Sequence, residues 1–317
     1  MRTGAAAGHL GYYHEAACYE SDEELLAVAV PFLTGGVEAG EPTVVALGER
    51  TTDLVRSALP AGLDVTFLTG GSVYARPAAA IRSYRKLLAD LVAGGASQIR
   101  IIGELSPVDL GVTWDWWARY ESAINHAYDE FPLWGMCAYD TADIPADALA
   151  DVLRTHPRTA MPDGSHMPNE AYTEPGHFLA EPRPPIVDPV QHTEPLADLI
   201  EPSLADARWV VRAADRGHLP PDDIDDLLVA VSEAVANAYK HGRGPVRMRL
   251  WCGPDRIVAS VTDAGAGPKD PFVGLLPAGD GANGGLGLWI THQSCNHVAM
   301  HRDADGFTIR LIAGNPR

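Results

Sequence analysis

Apolar positions follow two different rhythms along this chain. In the first half, short apolar or β-branched runs at 43–47, 65–68, 99–102 and 133–138 read as buried strands. Between them, residues 23–38, 78–93, 114–131 and 146–154 repeat apolar side chains at helical spacing. Strand and helix therefore alternate, and runs that are apolar throughout predict strands covered on both faces. The expected fold is an α/β domain with a parallel sheet. Trp114, Trp116 and Trp117 open one of these helices, either as anchors to the sheet or as the wall of a pocket.

The rhythm stops near residue 158. Prolines mixed with Asp, Glu, Ser and His, as in Glu181-Pro182-Arg183-Pro184-Pro185, predict an extended connector over 159–193. This divides the chain into 1–158, a linker 159–193, and 194–317. In the last part Ile224, Leu227, Leu228, Val231 and Val235 mark one face of a long helix that starts among Asp residues and stops at Gly242. Two apolar runs, 246–250 and 257–261, flank Cys252-Gly253-Pro254-Asp255 and predict a hairpin. Residues 268–284, rich in Gly, Pro, Ala and Asp, read as a flap.

Three stretches of this last part carry candidate chemistry. Glu233 and Asn237 are four residues apart on the helix, about 6 Å at Cβ, an acid and an amide oxygen suited to a proton and to Mg²⁺. Taken alone, the pair also fits a solvated polar face. Asp263 ends the second hairpin strand, and Gly265 and Gly267 after it let backbone approach a flat ligand whose exocyclic amine the carboxylate would accept. An ordinary glycine turn fits those residues equally well. Gly285-Leu286-Gly287-Leu288 opens a helix whose free N–H groups suit phosphate oxygens. In this order the three describe a pocket for a magnesium nucleotide.

These motifs resemble the Bergerat-fold (GHKL) ATPases of gyrase, heat-shock chaperones, MutL and histidine kinases, over roughly 194–311. Within that superfamily, Ser-Glu-Ala-Val-Ala-Asn-Ala-Tyr-Lys-His-Gly at 232–242 looks most like the anti-sigma-factor serine kinases. The resemblance implies an α+β two-layer Bergerat fold and Mg-ATP as cofactor. It further implies Asn237 as the Mg²⁺ ligand, Glu233 as base or orienter for the incoming hydroxyl, and Asp263 as partner of the adenine amine. Such kinases bind a sigma factor and phosphorylate a serine or threonine of a STAS-domain antagonist; the kinase type also implies a homodimer. Lys269 is the nearest candidate for the γ-phosphate, because phosphoryl transfer needs charge neutralisation. The alternative is a non-catalytic ATP-binding partner switch that sequesters a sigma factor or STAS protein. A histidine kinase is disfavoured, since His156, His192 and His218 lie among prolines where no acceptor helix can run. A gyrase or MutL relative would need a transducer after the ATPase, for which the sequence leaves no room.

The first half has the look of a RecA-type core, yet no Gly-x-x-x-x-Gly-Lys-Ser/Thr follows its first strand. It resembles the MEDS sensory domain through His9-Leu10-Gly11-Tyr12-Tyr13, the stretch 32–41, Ile101-Ile102-Gly103-Glu104 and Leu153-Arg154-Thr155-His156-Pro157. That likeness implies a sensor of a small molecule or partner. Ligands of open α/β sheets gather beyond the carboxyl ends of strands, so Glu104, Arg154 and His156 are candidates for the sensory pocket, with Asp109 shortly after Glu104. An ion pair or capped turn would use the same residues.

Charge and cysteines bound the partners. A net charge of −18 over 317 residues disfavours nucleic acid and suits basic protein surfaces or metal nucleotides. Cys18, Cys137, Cys252 and Cys295 lack Cys-x-x-Cys spacing and read as free thiols of a reducing cytoplasm, neither a disulfide frame nor a zinc site. No apolar run is of membrane-spanning length and no signal peptide is legible, so the expectation is a cytoplasmic protein.

Overall fold

The computed structural model describes residues 2–68, 76–105, 113–142, 144–185, 187–277, 286–304 and 306–316. The chain divides into two compact units, Met1–Tyr74 with Ile81–Leu179, and Ala180–Arg317 with Ala75–Ala80.

The first unit alternates β1 (Tyr13–Tyr19), α1 (Asp22–Glu38), β2 (Thr43–Ala46), α2 (Glu49–Ala58), β3 (Thr66–Phe67), α3 (Pro77–Ala93), β4 (Ile99–Gly103), α4 (Trp114–Ala127), β5 (Leu133–Asp140) and α5 (Ala146–Thr155). Its sheet has the order β3-β2-β4-β5-β1, continued by β6 (Arg158–Ala160) and β7 (His166–Pro168). All pairings are parallel except β6 with β7. β2 and β4 are buried at every position, so both faces of the sheet are covered, as the continuous apolar runs require.

β1 is a central strand that the apolar pattern does not reveal, because it places His14 and Glu15 side by side in the interior, both 0 % exposed. Tyr13, Ala17 and Tyr19 join α1 residues Leu25, Phe32 and Leu33 in one core, together with Trp134 and Met136 of β5. On that same face Glu15 accepts a hydrogen bond from Trp134 Nε1 at 2.7 Å and meets His166 Nδ1 at 2.9 Å. His14 faces the opposite side, towards α4 and Cys137. A second buried polar knot ties β4 to the segment before β2: Arg100 donates to Glu41 at 2.6 Å and to the Phe32 carbonyl at 2.8 Å.

The expected connector 159–193 is not extended chain. β6, β7 and α6 (Pro175–Ala180) fill its first half, so the structure of the first unit continues past 158 to Leu179. The prolines mislead because they occupy positions that tolerate them. Pro168 ends an edge strand and Pro175 opens a helix. The second half is tied down as well. Asp188 caps a 3₁₀ turn at Pro189–His192, and Val190 packs against Trp251, Val258 and Ile312.

The second unit is a separate five-stranded antiparallel sheet faced by helices. It comprises β8 (Ala197–Ile200), α7 (Leu204–Ala214), α8 (Pro221–His241), β9 (Arg247–Cys252), β10 (Arg256–Asp263), α9 (Leu286–Ser294), β11 (His297–Asp303) and β12 (Gly306–Gly314). The strand order is β11-β12-β10-β9-β8. The hairpin forms as its spacing predicts, with Leu250 opposite Ala259. α8 begins at a proline pair, carries Asp222 and Asp223 in its first turn and ends before Gly242. It lies against β10 and β12, and α9 packs on it.

Arg256 holds Asp188 through Nε and Nη2 at 2.9–3.1 Å, both residues being almost fully buried. Replacing Asp188 with Ala leaves the buried guanidinium only its Nη1 bond to Asp255 at 2.9 Å and is expected to cost about 3 kcal/mol in chemical denaturation, whereas Asp188→Ala with Arg256→Met regains much of that loss. His297 gives a second prediction. Burial, then the charges of Arg310 and His292, push it down to about 3. The folded unit keeps it neutral while the unfolded chain protonates near pH 6.5, so stability is full above that pH and is lost as pH falls towards 3. Urea melts at pH 7.5 and 5 are expected to show this loss, and His297→Gln to reduce it.

Candidate functional site

Burial of one face of α8 leaves Glu233 and Asn237 together on its neighbouring face, each half-buried. Gly287, the second residue of α9, comes directly against them. A Cβ at that position would lie 2.3 Å from Glu233 Oε2 and 3.4 Å from Asn237 Nδ2. Glycine lets α9 approach this closely without moving the Glu233 carboxylate, and so the first and third motifs meet although about fifty residues separate them. Leu286 beside it is exposed and Leu288 half-buried. Gly285 lies outside the described residues.

Asp263 ends β10 and is 5 % exposed. Its Oδ1 accepts the Gly265 N–H at 2.6 Å and the Arg243 N–H at 3.1 Å, while the Ala264 N–H donates to the Arg243 carbonyl at 2.7 Å. The carboxylate thus fastens the strand end to the turn that follows α8 through one oxygen. Side chains are excluded around it: a Cβ on Gly265 would sit 2.5 Å from Oδ1, and one on Gly242 would sit 2.3 Å from Cγ. Gly242, legible in the sequence only as a helix stop, therefore belongs to this site. Gly267 has a φ of +72° and backs onto the Phe307 ring.

Lys269 is exposed, six residues beyond Asp263. The described part of the expected flap is a packed turn: the Phe272 carbonyl accepts the N–H groups of Leu275 and Leu276 at 3.1 Å, and Leu275 is 2 % exposed. The remainder, 278–284, lies outside the described residues.

In the first unit the three sensory candidates separate. Glu104, just past β4, accepts hydrogen bonds from the Gly48 N–H at 2.9 Å and the Thr51 hydroxyl, which caps the start of α2. It also lines a cavity of about 40 Å³ shared with Tyr12, Tyr128, Glu121 and Cys137. His156 is wholly buried and approaches Glu121 at 3.5 Å. Arg154 belongs to neither group. It reaches Asp151 at 3.9 Å and covers the Phe178 ring, because its place in the last turn of α5 turns it towards α6. Trp114, Trp116 and Trp117 are all buried and act as packing anchors. Asp109 lies outside the described residues. The four cysteines are free. Among the described residues no helix is long and apolar enough to cross a membrane.

Residues 13–157 match the family model of MEDS, the MEthanogen/methylotroph, DcmR Sensory domain. Residues 199–313 match that of the Histidine kinase-like ATPase domain. The chain therefore joins a MEDS domain to a histidine kinase-like ATPase domain. The ATPase part is similar to the Serine-protein kinase RsbW of Staphylococcus epidermidis, 32 % identical over 105 residues, or 29 % of this chain and 65 % of that protein. It is also similar to the RsbW of Bacillus velezensis, 29 % identical over 28 % of this chain and 64 % of that protein. The chain thus spans just under two thirds of the length of these curated relatives. A solved structure, of the RsbU and RsbW domains of Rv1364c from Mycobacterium tuberculosis, aligns at 21 % identity with a TM-score of 0.25, over 39 % of this chain and 33 % of that one.

Gly287→Ala gives a test of the convergence. Its Cβ would displace the Glu233 carboxylate, which ends a flexible side chain, and helices prefer Ala to Gly by about 0.8–1.0 kcal/mol. Thermal stability is expected to hold while affinity for Mg-ATP, read by calorimetry, falls about tenfold or more, some 1.4 kcal/mol.

Proposed function

We propose that the ATPase domain binds Mg-ATP and acts as an anti-sigma-type serine/threonine protein kinase that phosphorylates a STAS-domain antagonist, under control of the MEDS domain as sensor. The observation that carries this reading is the seat of Gly287 on Glu233 and Asn237, which brings a helix start suited to phosphate to an acid and an amide side chain. Likeness to serine-protein kinases supports the reaction class.

In this reading the free oxygen of Asp263 accepts the adenine amine, and the backbone at Gly265 and Gly267 lies under the base. The α9 start at Leu286, Gly287 and Leu288, with Gly285 before it in the sequence, receives the phosphates, and Lys269 is the candidate γ-phosphate cation. Asn237 is the Mg²⁺ ligand, and the ion would offset the charge of the phosphates. Glu233 accepts the proton of the incoming serine or threonine hydroxyl as its oxygen bonds the γ-phosphorus and the bond to the β-phosphate oxygen breaks, releasing ADP. Sequestering a sigma factor, pairing as a homodimer and residing in the cytoplasm belong to the same proposal. Glu104, which lines the first unit's cavity, and His156, which lies against Glu121 of that lining, are retained as sensory candidates; Arg154 is not.

The test is incubation of the full chain with γ-labelled Mg-ATP and the STAS-domain protein of the same organism. Label on the STAS serine, lost in Glu233→Ala and Asn237→Ala, is the expected result. Nucleotide binding without transfer would replace the kinase by a non-catalytic partner switch, and absence of nucleotide binding would sink both.

A further inference from the structure

Four side chains meet in the interior of the MEDS domain. His14 comes from β1, Glu121 from α4, Cys137 from β5, and His156 directly follows α5. One nitrogen, oxygen or sulfur of each lies within 4.8 Å of those of all the others. The separations are 3.4 Å for His14 Nε2 to Cys137 Sγ, 3.7 Å for His14 Nε2 to Glu121 Oε2, 3.5 Å for His156 Nε2 to Glu121 Oε2, and 3.8 Å for Cys137 Sγ to Glu121 Oε2. Tetrahedral coordination with bonds of about 2.0–2.3 Å has edges of about 3.3–3.8 Å, the range of these four separations.

The hydrogen bonds around the cluster fix its electronic character. Asn125 Nδ2 donates to the carbonyls of Glu121, Ser122 and Thr155, so its Oδ1 is the atom turned to His14 Nδ1, at 3.0 Å. An amide oxygen can only accept, which places the ring proton of His14 on Nδ1 and a lone pair on Nε2. Likewise His156 Nδ1 lies 2.7 Å from the Val152 carbonyl, which leaves a lone pair on its Nε2. That atom is fully buried and has no hydrogen-bond partner. Two imidazole lone pairs, a carboxyl group and a sulfur thus converge on one point of the interior. Without metal the thiol and carboxyl protons separate these bases, the thiol donating to Glu121 Oε2, and a metal cation taking the place of those protons would bind all four. The outer bonds from ring Nδ1 to an amide oxygen and to a backbone carbonyl are those that orient metal-bound histidines.

We propose that His14, Glu121, Cys137 and His156 form a tetrahedral binding site for a divalent transition metal ion of the zinc class. Nitrogen, sulfur and oxygen donors in a four-coordinate frame select such an ion over Mg²⁺ or Ca²⁺. Binding would release the protons held by the thiol and carboxyl groups and leave both histidines neutral. Glu121 and Cys137 also line the cavity next to Glu104, so the site adjoins that cavity. With ligands from four separate elements, it would pin α4 and the end of α5 to the sheet. Local cysteine spacing gave no sign of such a site, since its ligands are scattered from residue 14 to residue 156 and only the fold assembles them.

The test uses the full chain, purified without chelator and then titrated with Zn²⁺ and Co²⁺ after metal removal. One ion per chain by mass spectrometry is expected, together with the strong visible bands of four-coordinate Co²⁺ and a thiolate charge-transfer band. Cys137→Ser should abolish the charge-transfer band, His14→Gln and His156→Gln should abolish tight binding, and Asn125→Ala should weaken it about 10–100-fold. Glu104→Gln, outside the four, should keep full stoichiometry. Binding well below one ion per chain after reconstitution overturns the proposal, as does a weak octahedral Co²⁺ spectrum or a stoichiometry unchanged in folded Cys137→Ser and His156→Gln chains. Circular dichroism on each variant separates loss of metal from loss of fold.

Discussion

The Asp263 carboxylate is the fastening on which the C-terminal site depends. One oxygen gathers the N–H groups of Gly265 and Arg243, so the end of β10 and the turn after α8 are held as one piece. A carboxylate so nearly buried would be costly without those donors, and with them it fixes where the strand stops. α8 then runs back from that point, so Glu233 and Asn237 come to a defined place one and two turns before its end. α9 completes the arrangement through the bare Cα of Gly287. Removing space is the task of the glycines here, and it is as much a part of the chemistry as the charged groups.

The first unit solves a different version of the same problem. Its sheet is closed on both faces, yet it contains Glu15, Arg100, Glu41, Glu121, His14 and His156 at almost no exposure. Each must find partners inside. Arg100 and Glu41 neutralise one another and also take up backbone and side-chain groups around them. Glu15 is shared between Trp134 and His166. Such polar knots contribute less to net stability than apolar packing of equal volume, but removing one member alone is severe.

Legibility in the sequence followed the regularity of burial. α8 could be read to within a residue or two because its apolar stripe is uninterrupted and both ends carry the expected charges and glycine. The hairpin was equally plain, and β2, β4 and β5 are runs of apolar residues. β1 was hidden because His14 and Glu15 break its pattern, and those residues belong to the polar interior rather than to the apolar core. The segment 159–193 was concealed by proline, whose structural meaning depends on whether it stands at an edge, a helix start or a loop. Glu233, Asn237, Asp263 and Gly287 could be singled out by spacing. Gly242 and the joining of His14 to His156 could not, since those relations exist only between elements distant in the chain.

Neighbouring residues 14 and 15 of β1 send an imidazole to one side of the sheet and a carboxylate to the other. A slip of this strand by a single position would turn the carboxylate to the face that holds Glu121, an acid against an acid, and take it from the Trp134 indole N–H and His166. A strand of valines would meet no such penalty. The pair therefore favours one alignment of the strand over its neighbours, and what weakens β1 as a pattern is what makes its pairing unambiguous.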